Sequence, residues 1–162
     1  MEMPDGSRDN GSSPLNARLG GKALALVTCM DTRIDSTRFF DIWPSSLYRI
    51  RNAGGRVSTD VLRSLVVACA MEIECILVMH HTDCAMAKNS DADIRARLPA
   101  APPGTPEIDL LTIDDPLAAL REDVAKIVAC PLLPPGLQVE GGIYHLDSRA
   151  VQLLPAASAP RP

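Results

Sequence analysis

Two thiols and an imidazole stand at the ends of apolar runs in this chain, at spacings that suit a metal ion. The run Cys75–Met79 has no Gly or Pro, as expected of a buried strand. It stops at His80 and His81, followed by Thr82, Asp83 and Cys84. A strand that ends in His81-x-x-Cys84 offers two soft ligands that a backbone turn can aim at one point. Two ligands do not make a site, and the matching feature lies upstream. Leu24–Arg33 is a second apolar strand pattern, ending in Cys29-x-Asp31-x-Arg33. If the two strands are parallel neighbours, their carboxyl ends deliver these groups to one edge of the sheet, where open α/β sheets usually place their sites. In a locally extended chain Cys29, Asp31 and Arg33 also point to the same side.

Together the two motifs resemble the β-class carbonic anhydrases, which pair a Cys-x-Asp-x-Arg with a later His-x-x-Cys. The resemblance extends to Arg51, Asn52, Ala53, Gly54 and Gly55 between them and to the helix-like Thr59–Ala70. It also takes in Asp115–Lys126, Pro131–Pro134 and Gly141–Asp147, so that about residues 22–154 are covered. Cys29, His81 and Cys84 would give one Zn2+ per chain a Cys₂His set with the fourth position open, a catalytic rather than a structural arrangement. Two thiolates cancel the charge of zinc, and zinc lowers the pKa of a bound water from about 16 to roughly 7. The resulting zinc-bound hydroxide would attack CO₂ at carbon and give bicarbonate and a proton.

The resemblance gives Asp31 and Arg33 paired roles. Arg33 holds the carboxylate off the metal, and Asp31 accepts a hydrogen bond from the zinc-bound water. The same Asp31 closes the site as fourth ligand in some family members. The family also places the loop Asn52, Ala53, Gly54 and Gly55 at the border of the active site. Amides ahead of a helix favour anions there; the plain alternative is a tight turn that needs Gly conformations. The implied activity is that of a carbonate dehydratase, a lyase acting on CO₂ and bicarbonate, in a homodimer or larger homo-oligomer. Ala85 stands where the family usually has Gly, and a positive φ there would strain the loop by about 1–3 kcal/mol. Phe39 and Phe40 are the candidate wall of a CO₂ pocket.

Plainer readings compete at each residue. A lone Asp31-x-Arg33 would be a surface salt bridge worth up to about 1 kcal/mol; beside Cys29 the functional reading prevails. Buried cysteines are usually packing, which is the reading for Cys69, Cys75 and Cys130. His80 points to the face of its strand opposite His81 and is a packed neighbour or a proton relay. His145 reads as structural, and Asp83 as a turn carboxylate that can also orient a ligand. Two rival functions keep the zinc: hydrolysis of carbonyl sulfide or carbon disulfide on the same scaffold, and a non-catalytic zinc-binding oligomer. A redox role for the thiols lacks a Cys-x-x-Cys pair, and Gly20-Gly21-Lys22 precedes a strand rather than following one, which excludes a P-loop.

The elements that must position these groups alternate between strand and helix, an α/β pattern with a mainly parallel central sheet flanked by helices. Lys22–Cys29 and Leu47–Ile50 read as strands around a short helix at Ile34–Ile42. Ser58 caps a helix to about Met71, and a polar helix is expected over Lys88–Leu98. Pro116 opens an amphipathic helix to about Cys130, and Leu137–Leu146 with Ala150–Leu154 form a closing hairpin, the C-terminal antiparallel strand. Residues 1–21 read as a disordered or loosely attached arm, 22–154 as a single zinc-binding catalytic domain and 155–162 as a flexible tail. A net charge of −4 argues against nucleic acid as a partner. No run is long enough for a membrane span, and the N-terminus does not read as a signal peptide. Five cysteines without such a signal point to reduced thiols and a cytoplasmic protein.

Overall fold

The computed structural model describes residues 14–36 and 46–155. Readings on residues 1–13, 37–45 and 156–162, among them Phe39, Phe40 and most of the helix expected at Ile34–Ile42, lie outside the described residues. The chain forms a sheet of β1 (Leu24–Cys29), β2 (Leu47–Asn52), β3 (Cys75–His81), β4 (Gln138–Tyr144) and β5 (Val151–Leu153) in the order β2-β1-β3-β4-β5. The first four strands are mutually parallel and β5 is antiparallel to β4. This is the expected α/β sheet with its antiparallel C-terminal strand. The register pairs Cys29 with Asn52, Thr28 with Met79 and His81 with Tyr144. The carboxyl ends of β1, β2 and β3 therefore finish side by side, as the strand-end motifs require.

Strand alternation sorts the side chains onto two faces. On one, Leu24, Leu26, Cys75, Leu77 and Met79 pack with Leu15 and Leu19 of α1 (Pro14–Leu19). On the other, Ala25, Val27, Ile76 and Val78 pack with α2 (Thr59–Ala70) and α5 (Pro116–Val128). Every residue of β1 and β3 is buried, so both strands are covered on both faces, as expected of parallel strands under helices. Ser58 caps α2 by accepting from Val61 N, and Asp115 caps α5 by accepting from Leu117 N and Ala118 N, with Pro116 in the first turn.

Two segments depart from expectation. The stretch to Gly21 is not loose throughout: Leu15 and Leu19 are 2% and 0% exposed, and Arg18 pairs with Glu140 at 2.8 Å while donating to the Leu154 carbonyl. Two leucines four apart were enough to dock one helical turn and a half, a signal submerged in the polar composition around it. Near Lys88–Leu98 the chain makes two short helices, α3 (Ala85–Lys88) and α4 (Asp91–Arg95). Ser90 forms a reciprocal capping box with Asp93, which starts α4 inside the expected range, while α3 is an added turn ahead of it. Among the described residues no helix is long and apolar enough to cross a membrane.

Candidate metal centre

Cys29 is the last residue of β1, and its neighbours fix the backbone beyond it. Arg51 in β2 donates from Nε to the Cys29 carbonyl at 3.0 Å and from Nη2 to the Asp31 carbonyl at 2.6 Å, and Met30 N donates to Asn52 O. The 3₁₀ turn Ala53–Gly55 after β2 lies against the same strand end. Gly55 has φ of +69°, and a Cβ there would come within 2.9 Å of Cys29 N and 3.0 Å of Thr28 C. Only glycine lets the two backbones approach this closely.

The second strand end is shaped by a left-handed residue. β3 closes on His81, Thr82 N donates to the Tyr144 carbonyl, and Asp83 turns the chain with φ of +61°. Cys84 then occupies the N-cap of α3, its carbonyl accepting from Ala87 N at 3.1 Å. The strain expected at Ala85 is absent: the positive φ falls on Asp83, and Ala85 is the first helical residue of α3. An Asp tolerates that conformation better than most residues, since its short side chain bonds locally.

These two ends bring Cys29, His81 and Cys84 together, with one ligand atom from each, all within 4.8 Å of one another. The three residues are 5%, 4% and 4% exposed. His81 donates from Nδ1 to the Thr82 carbonyl at 2.9 Å, which fixes the tautomer and turns the lone pair of Nε2 toward the sulfurs. That Nε2 is buried with no hydrogen-bond partner. A buried imidazole nitrogen left unsatisfied beside two thiols is costly unless a cation takes its lone pair, so the donor set fits a thiophilic metal ion such as zinc. The Cys84 thiol beside it, aided by the nearby His81 ring, outweighs burial and holds the Cys29 thiol down to about 4. The same sharing pushes Cys84 well up, because a second thiolate beside the first is unfavourable. Burial would lower His81, but the adjacent Cys29 sulfur and its charge, with the Thr82 carbonyl and Asp31, more than offset it and raise the imidazole.

Asp31 stands at the rim of this cluster, its Oδ2 3.9 Å from His81 Nε2. Arg33 grips both carboxylate oxygens, Nε to Oδ1 at 3.0 Å and Nη2 to Oδ2 at 2.7 Å, while Arg33 N also donates to Oδ1. These bonds hold the Asp31 carboxyl down to about 2. Arg33 is itself held from behind: Nη1 donates to Asp83 Oδ2 at 2.7 Å and Nη2 to the Asp83 carbonyl at 3.1 Å, and Lys88 pairs with the other Asp83 oxygen. Asp83 is thus more than a turn residue. Asn52 donates from Nδ2 to the Arg56 carbonyl at 2.7 Å, and its Oδ1 is buried without a partner.

His80 lies on the other face, 3.2 Å from the buried Asp123 of α5, and His145 contacts Gln152. Cys75 is fully buried and pushed up to about 11 by that burial; Cys69 is raised by the same cause. Cys69 and Cys130 pack on the apolar core, as read from their surroundings. Sequence reasoning missed Arg56 and Asp123. Asp123 was detectable, since Leu120, Asp123, Val124 and Ile127 share one helical face and an acid on that stripe needs a buried partner.

The carbonic anhydrase family model matches residues 24–102. The crystal structure of a carbonic anhydrase from Streptococcus mutans superposes with a TM-score of 0.73 at 32% identity, covering 84% of this chain and 83% of that one. Beta-carbonic anhydrase 1 of Mycobacterium tuberculosis is 29% identical over 126 residues, 77% of either chain. A carbon disulfide hydrolase of Saccharolobus solfataricus is 35% identical over 68 residues, 41% of this chain and 33% of its own. Both strand ends and all three donors fall inside the stretch that the family model matches, and the chain belongs to the β-class carbonic anhydrase family.

Proposed function

We propose that this chain binds one zinc ion on Cys29, His81 and Cys84 and catalyses the reversible hydration of CO₂ to bicarbonate. The observation that carries this reading is the three-donor cluster with an Arg33-clamped Asp31 at its rim. When bound, zinc supplies the Lewis acidity that makes a coordinated water acidic near neutral pH. The protein supplies orientation. With its carboxyl held near 2, Asp31 is a carboxylate throughout the neutral range, so it accepts a hydrogen bond from the attacking water and has no proton of its own to give. Arg33 occupies both its oxygens and draws it away from the sulfurs, which favours the form with the fourth position free over the one closed by Asp31. The loop Asn52, Ala53, Gly54 and Gly55 borders the same edge and is assigned to the anionic product. Val67 and Met71, half exposed on α2, are the face we assign to a homo-oligomeric contact. Ligand thiols that must stay reduced suit the cytoplasm.

Stopped-flow CO₂ hydration on protein of known zinc content, at pH 7 and near pH 8.5, tests the reading, with carbon disulfide and carbonyl sulfide hydrolysis measured in parallel. Zinc-dependent CO₂ turnover is expected. Zinc-loaded protein inactive on CO₂ but active on a sulfur substrate would transfer the assignment to a hydrolase, and inactivity on all three would leave a structural zinc.

A further inference from the structure

Three side chains that this chemistry does not use are buried together on the face of the sheet opposite the cluster. Asp123, wholly buried in the apolar stripe of α5, accepts from Arg56 Nε at 2.7 Å and lies 3.2 Å from His80 Nε2. Arg56 and His80 are 5% and 2% exposed. Burial pushes the Asp123 carboxyl up, but the hydrogen bonds of His80 and Arg56 outweigh it and hold the group below the ordinary range. A buried ion pair is a poor source of stability, because desolvation offsets its attraction and apolar side chains of similar volume often serve as well. Its presence in this core calls for another role.

The contacts of Arg56 show one, because they reach each segment that carries a donor. Its backbone continues Gly55, which is pressed against Thr28 and Cys29, and its carbonyl accepts from Asn52 Nδ2. Through Asp123 it reaches His80, the neighbour of His81 in β3. Its Nη1 donates to the carbonyls of Leu111 and Thr112 at 3.2 and 3.3 Å. The next residue, Ile113, donates its N–H to the Met86 carbonyl in α3, whose N-cap is Cys84. The guanidinium thus ties the Leu111–Thr112 loop to Glu122 and Asp123 of α5, and through Asp123, Ile113 and its own backbone Arg56 is linked to all three donor segments.

We infer that the Arg56–Asp123–His80 network is a brace that sets Cys29, His81 and Cys84 at their mutual distances, so that metal affinity and coordination geometry depend on it more than fold stability does. Arg56 is a positioning residue that acts through Gly55, His80 and Met86. The inference rests on the zinc reading above.

The experiment uses the full chain as wild type, as R56K and as the double variant R56M/D123L, in which apolar side chains replace the buried ion pair. Zn2+ affinity is measured by chelator competition, coordination geometry by the visible spectrum of the Co2+-substituted protein, and fold stability by thermal unfolding without metal. A lysine can still meet Asp123 but cannot also hold the two loop carbonyls, so R56K separates the ion pair from the brace. Both variants are expected to bind Zn2+ at least about tenfold more weakly, with shifted Co2+ bands, while the metal-free double variant unfolds close to wild type. Unchanged affinity and bands would overturn the proposal. So would a loss of affinity matched by collapse of the metal-free fold in both variants, which would make the network ordinary core. Wild-type protein that takes up no Zn2+ would instead overturn the zinc reading and this proposal with it.

Discussion

Asp31 is the residue whose environment says most about its work. Arg33 binds both of its oxygens and Asp83 in turn binds Arg33, so the carboxylate is fixed at the rim of the donor cluster. Asp31→Ala is expected to keep its zinc, by metal analysis, and to lose about 100-fold in turnover, the usual scale for one pre-oriented hydrogen-bonding group. Cys84→Ala is expected to lose the metal itself; retention of a full equivalent would remove Cys84 from the ligand set. Asp83→Asn tests the outer half of the clamp. It leaves zinc content unchanged and lowers kcat/KM severalfold, because Arg33 is freed to swing away with Asp31. The sequence displayed Cys29, Asp31, Arg33, His81 and Cys84 openly, since each stands at the end of an apolar run. It did not display the tie from Asp83 to Arg33, which depends on two strand ends meeting in space.

At the scale of elements, the decisive contact is the packing of the Ala53–Gly55 turn on the end of β1. Gly55→Ala would place a Cβ 2.9 Å from Cys29 N at a φ of +69°, combining a backbone clash with a conformation that costs of order 1–3 kcal/mol. Chemical denaturation should show that loss, and metal affinity should fall with it because the displaced atoms belong to Cys29, a proposed ligand. Periodicity and caps revealed α2, α5 and the central strands, all long enough for a pattern to register. They failed at α1, where only Leu15 and Leu19 carry the signal, and at the single turn of α3, which precedes the polar helix expected over Lys88–Leu98 and realised as α4. Short elements held by a few tertiary contacts leave little trace in local sequence. Arg56 was hidden for the same reason: its partners at Leu111, Thr112, Glu122 and Asp123 lie far along the chain.

For the whole molecule, buried and clamped carboxylates set the response to acid. Asp31 titrates near 2 in the fold and Asp123 below its ordinary value, against about 3.9 in an unfolded chain. The folded state therefore binds fewer protons than the unfolded one as pH falls. The stability these groups contribute is complete above roughly pH 5 and drains away between about 4 and 2. Denaturation midpoints measured from pH 7 down to pH 3 should hold level and then drop, and the drop should be smaller in R56M/D123L, which lacks the Asp123 carboxylate.

The parallel pairing of β1 with β3, which sets Leu24 opposite Cys75, also governs when the metal can arrive. Parallel neighbours cannot be joined by a tight turn, so Cys29 meets His81 and Cys84 only after a long crossover has closed and the central register has formed. A nascent chain offers an ion at most the His81–Cys84 half of the cluster, too few ligands to hold it. Zinc should therefore act on the way out of the native state rather than on the way in. In stopped-flow experiments it is expected to slow unfolding while leaving the refolding rate nearly unchanged, making the ion a lock on a finished sheet and not a nucleus for its assembly.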